Sequence, residues 1–85
     1  MKFQAEIMIM PLQELLDPQG KAVEAGLQKN LNMPELEHVR IGKFITMNVQ
    51  ATDEASAAQL VERACKELLA NAVMESYKYK LSKLS

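Results

Sequence analysis

Residues 37–50 read Glu37-His38-Val39-Arg40-Ile41-Gly42-Lys43-Phe44-Ile45-Thr46-Met47-Asn48-Val49-Gln50, and their parity decides the fold. Val39 and Ile41 precede Gly42, Ile45, Met47 and Val49 follow it, and all of these apolar positions are odd. A two-residue hairpin turn at Gly42-Lys43 would pair Ile41 with Phe44. That register puts Phe44, Thr46 and Asn48 on the core face and turns Ile45, Met47 and Val49 to water. The pattern opposes it, so the stretch is expected to form one long strand, kinked or bulged at Gly42, where a residue without a β-carbon tolerates the bend. At about 3.3 Å per residue, fourteen residues would span about 46 Å, longer than a sheet in so small a monomer can cover. Part of it is expected to meet another chain.

Upstream, Phe3, Ala5, Ile7 and Ile9 alternate with Lys2, Gln4 and Glu6, the period-two pattern of a half-buried strand that Pro11 stops. Met8 and Met10 break the alternation, so the far end of this strand carries apolar groups on both faces, as where a second layer or subunit covers it. Asp17-Pro18 opens a helix: the carboxylate caps exposed amides, and proline fits the first helical position, where its missing amide is unneeded. Val23, Leu27 and Leu31, with Ala22 and Gly26, make its apolar stripe; Asn30, Asn32 and Pro34 end it. Gly26 costs about 1 kcal/mol relative to alanine inside a helix, which is expected either to mark a close approach to the backbone or to be accidental.

Downstream, Thr52 and Asp53 are competent caps for a second helix with apolar positions Ala57, Leu60, Val61, Ala64, Leu68 and Ala72, running to about Asn71. Ser76, Lys78 and Lys80 then alternate with Tyr77, Tyr79 and Leu81 as a final strand. The expected fold is α+β, in the order β-α-β-α-β: a small antiparallel-type sheet with two helices on one face and a long second strand, in a single domain over residues 1–85.

The 85 residues carry ten basic and eleven acidic side chains, a formal charge of −1, with no basic run, so the electrostatic footprint of a nucleic-acid binder is missing. No apolar run approaches the roughly 20 residues that cross a bilayer, and the first residues alternate rather than form a signal-peptide core, so neither anchoring nor export is expected. One cysteine allows no internal disulfide, and the cytoplasm is the default compartment. A chain of this size buries only about 60–65% of its unfolded surface when it folds alone, near the low end for independent stability. Help from a partner is in keeping with that.

Catalytic chemistry is sparse. Cys65 lies mid-helix beside Val61, Leu68 and Leu69 and reads as a small buried residue rather than a nucleophile. His38, between Glu37 and Val39 and near Arg40, reads as a solvated or hydrogen-bonded histidine. One cysteine, one histidine and scattered carboxylates supply no metal-ligand spacing. The isolated Gly20, Gly26 and Gly42 form no phosphate loop. In Tyr77-Lys78-Tyr79-Lys80, period two separates the tyrosines from the lysines, giving a strand with a solvated face. The amides at Asp17-Pro18-Gln19-Gly20 could hold an anion, but an ordinary capped terminus explains them. Arg40, Gly42 and Lys43 cluster near the kink, either as solvated charges around a bulge or as polar contacts for a partner.

Three ordered segments, Leu16 to Val23, Val39 to Ile45 and Cys65 to Tyr79, closely resemble the PurS family, the small subunits of phosphoribosylformylglycinamidine synthase. The resemblance is nearly full length, loosest over Leu31 to Glu37 and beyond Leu81. It implies an accessory subunit without catalytic, cofactor or metal residues, in a complex that uses ATP, Mg and glutamine for de novo purine biosynthesis. The implied partners are a second copy in a dimer or higher oligomer, a glutaminase subunit that releases ammonia, and a large synthetase subunit. Asp17, Pro18, Gln19, Gly20, Arg40, Gly42, Lys43 and Asn71 are the positions it marks for assembly. A contrasting reading is a free-standing ferredoxin-like dimeric regulatory domain that binds a small metabolite. An acylphosphatase-like hydrolase ranks last, because neither Arg40 nor Arg63 lies in a Gly-rich loop.

Overall fold

A computed structural model describes residues 1–84. The chain runs β1 (Lys2–Pro11), α1 (Pro18–Ala25), β2 (Lys43–Gln50), α2 (Glu54–Ala64) and β3 (Glu75–Lys83), the expected β-α-β-α-β order. Each helix ends in a wider π-type turn, at Gly26–Asn30 and Cys65–Leu69 respectively. β1 is the central strand of a three-stranded antiparallel sheet ordered β2-β1-β3.

The register confirms the parity argument. Ile7 sits opposite Ile45 and Tyr79, and Phe3 opposite Val49, so the odd positions of all three strands share one face. On that face Phe3, Ala5, Ile7, Ile9 and Val49 are buried against Ala57 and Val61 of α2 and Cys65 at the start of the turn that ends it. Each large aliphatic side chain fully withdrawn from water contributes about 1.5–3 kcal/mol, so this cluster carries most of the fold. α2 is held at its start by Asp53, whose carboxylate accepts from the Ser56 amide at 2.7 Å.

Three expectations need correction. First, β2 begins at Lys43, so the strand is eight residues long rather than fourteen. Residues 39–41 leave the sheet because side chains of α1 and its cap take their amides: Val39 N–H donates to Glu24 Oε1 at 3.0 Å and Ile41 N–H to Asp17 Oδ2 at 2.9 Å. Gly42 accordingly sits just before the strand, not at a bulge within it. A β-carbon there would collide with the Ile9 carbonyl oxygen and Met10 Sδ, so glycine is what lets β1 come close.

Second, the two helices do not share a face of the sheet. α2 alone packs extensively on the strands, while α1 is latched to the 39–41 segment beyond the sheet's end. The molecule is accordingly drawn out to 51 × 27 × 14 Å, with a radius of gyration of 16.6 Å. A compact chain of this length has one of about 12 Å. Third, no atom lies near the place a β-carbon would occupy at Gly26. The close-approaching helix glycine is Gly20, where a β-carbon would strike the Val39 carbonyl oxygen.

Candidate functional site

All eight residues marked in the sequence lie around one end of the sheet, where β1 leaves at Pro11 and β2 and β3 begin. A crevice of about 380 Å³ there is lined by Asp17, Pro18, Lys43, Asn71 and Glu75 together with Pro11. Segments far apart in sequence meet here, and each is fixed by a specific contact.

Asp17 is a two-sided clasp. One carboxylate oxygen accepts from Gly20 N–H at 3.0 Å and caps α1, while the other accepts from Ile41 N–H. These bonds, that to Gly20 first, and the nearby Arg40 guanidinium hold its carboxyl below the usual carboxylate range. Pro18 occupies the first helical turn, and Gln19 beside it is exposed. Arg40 donates from Nη2 to the Pro11 carbonyl oxygen at the end of β1. Lys43 pairs with Glu75 at 3.5 Å, and Glu75 also accepts from Asn71 N–H at 2.8 Å.

Asn71 follows the second helical run, which ends at Leu69, and its Oδ1 accepts from the amides of Val73 at 3.0 Å and Met74 at 3.3 Å. It thus shapes the turn into β3 rather than only ending the helix. Glu24 and Glu75 complete the cluster and were not foreseen. In the sequence, Glu24 is one of several polar residues on a helix face, and Glu75 meets Lys43 only once β1 has placed both flanking strands.

Nothing in this geometry points to a reaction. His38 is exposed in a left-handed turn at φ 55, before the strand rather than at its start. Cys65 is buried at the start of the turn that ends α2, where desolvation first and the Glu62 carboxylate second push its thiol up, away from the reactive thiolate. No group of three or more metal-ligating side chains occurs among the described residues. The site is a set of positioning contacts at a junction, beside exposed apolar groups. It suits recognition between proteins.

A family profile described as PurS, phosphoribosylformylglycinamidine (FGAM) synthase, matches residues 4–83. The chain belongs to the PurS family. A PurS subunit from Synechocystis sp. is 44% identical over 70 residues, covering 82% of this chain and 69% of that one. Among solved structures, Thermus thermophilus PurS superposes with a TM-score of 0.83 at 36% identity, covering 100% of both chains. A chain in the structure of PurLQS from Thermotoga maritima superposes with a TM-score of 0.88 at 30% identity, covering 96% of this chain and 99% of that one. The PurS family member described here is therefore an accessory subunit of FGAM synthase, in purine biosynthesis. No described helix is long and apolar enough to cross a membrane.

Proposed function

We propose that this PurS subunit, one domain over residues 1–85, acts in the cytoplasm as a non-catalytic adaptor between a glutaminase subunit and an ATP-dependent synthetase subunit. In that complex ATP, Mg and glutamine are used by the partners, and this chain binds none of them. The observation that carries the reading is the likeness to a chain of the Thermotoga maritima PurLQS structure along nearly the whole length. The clasp of Asp17, Glu24 and Arg40 supports it, since these side chains hold main-chain atoms in place and leave none poised for catalysis.

An adaptor has a chemical task all the same. Ammonia released by a glutaminase is mostly protonated once it reaches bulk water, and only the neutral form is a nucleophile. A closed junction between subunits preserves it without an acid or base from the adaptor.

The same reading includes a homodimer. The apolar stripe of α1 has no strand beneath it, leaving Val23 42% and Leu31 59% exposed. A second copy laid against this stripe covers it and supplies the burial that an elongated 85-residue chain lacks alone.

Mixing the full chain with glutaminase and synthetase subunits and measuring the mass of the products by light scattering tests the adaptor. A complex containing all three is expected. Partners that associate equally well without the chain, and leave it behind, overturn the reading.

A further inference from the structure

The face of the sheet away from α2 is uncovered, and at the Pro11 end it is apolar. Met8 stands opposite Phe44 on one side and Lys78 on the other, and these cross-strand neighbours project to the same face. Met8 is 41% and Phe44 59% exposed. With Met10 they floor an open groove of about 740 Å³, whose wall carries Arg40, Lys43 and Lys78.

The charges around this floor are unequal. Among the described residues, Glu14 is the only carboxylate lining the groove. Lys43 shares Glu75, which lies outside it, and Arg40 is anchored through one nitrogen to the Pro11 carbonyl oxygen. Lys78 has no ion-pair partner among the described residues. Two residues on, outside the groove, Lys80 stands opposite Glu6, so opposite charges balance there and the surplus is confined to the groove. The groove therefore offers an aromatic and two thioethers beside three cations and one carboxylate.

We propose that this groove docks an acidic segment of a partner subunit, one that presents a carboxylate to Lys78 beside an apolar side chain that covers Phe44 and Met8. The proposal rests on the adaptor reading and names the surface and chemistry by which the adaptor holds one partner. A second copy of this chain is disfavoured here, because it would bring the same surplus of cations to the contact, and like charges brought together at an interface are repelled. A small free anion would find charge at the rim but only carbon and sulfur on the floor. An aromatic or flexible thioether floor inside a polar rim is the arrangement in which a few anchors dominate protein–protein affinity.

The test uses the full chain with its glutaminase and synthetase partners, titrated at low and at moderate salt. The variants are Lys78→Glu, Lys78→Arg and Phe44→Ser, all at exposed positions. Lys78→Glu and Phe44→Ser are expected to weaken assembly by about tenfold or more, while Lys78→Arg assembles like the wild type. Wild-type affinity should fall with salt, and less so in Lys78→Glu. The mass and melting temperature of the isolated chain should be the same in all three.

Wild-type chain that assembles while Lys78→Glu and Phe44→Ser assemble equally well overturns the inference and leaves the adaptor reading standing. A variant that changes the mass of the isolated chain also overturns it, since the face is then a contact between copies. Wild-type chain that does not assemble at all overturns both.

Discussion

At the residue scale, two glycines make opposite predictions. A β-carbon at Gly42 would meet the Ile9 carbonyl oxygen, part of the central strand's backbone, which cannot move aside without disturbing the ladder. Gly42→Ala should therefore destabilise the chain by about 1–3 kcal/mol, read as a lower midpoint in urea denaturation. Gly26 faces open space in a helical conformation, φ −63, so Gly26→Ala should instead stabilise by about 0.5–1 kcal/mol in the same measurement. Both residues are visible in the sequence, but which one has a neighbour is not, because the neighbour of Gly42 comes from a strand more than thirty residues away.

Asp17 supplies the pH dependence at this scale. Its folded carboxyl titrates below the unfolded one, as does that of Asp53, which accepts from Ser56. The unfolded chain therefore takes up these protons first, and the stability they contribute is present above about pH 4 and lost as pH falls through the lower folded values. Asp17→Asn keeps one amide oxygen for two amides that now need it. The variant should melt lower than wild type at pH 7, and the gap should narrow as pH falls below about 4, where the unfolded wild-type chain takes up the proton that the clasp excludes. A gap that stays constant with pH would mean that the clasp does not depend on charge.

At the element scale, the strands and helix starts were legible because each is written in local chemistry. Period two set the faces of β1 and β2, and Asp17-Pro18 and Asp53 marked the two caps now seen accepting from Gly20 and Ser56. The length of β2 was not legible. Residues 37–42 have a strand's parity, yet two of their amides are held by Asp17 and Glu24 of the α1 region, a competition between side chain and ladder that no window of sequence contains.

The position of α1 was hidden for the same reason. Its stripe of Val23, Leu27 and Leu31 looks like that of any helix lying on its own sheet. The fold instead leaves it facing outward, and the proposed dimer puts it against a second copy. Val23→Lys should lower the fraction of dimer in sedimentation velocity while leaving far-UV helicity nearly unchanged. Equal dimer content would place the contact between copies elsewhere.

For the whole molecule, the small core, the drawn-out shape and the barren chemistry tell one story. Residues 1–84, arranged over 51 Å with one face of the sheet and one stripe of a helix uncovered, are suited to completion by other chains. The eight residues marked by family resemblance converge on the sheet end where the chain's segments are tied together, and the uncovered groove opens beside them. What the sequence could not reveal was which of them present a surface and which fix the backbone. Asp17, Gly20 and Gly42 act inward, while Lys43 and Arg40 reach the rim.

In the proposed function, the chain joins two activities without performing either. The most direct test of that role is the rate of FGAM formation by glutaminase and synthetase subunits, measured with glutamine and then with free ammonium as the nitrogen source, with and without this chain. The chain should be required for the glutamine-dependent rate and should change the ammonium-supported rate little. Equal glutamine-dependent rates in its presence and absence would contradict that role.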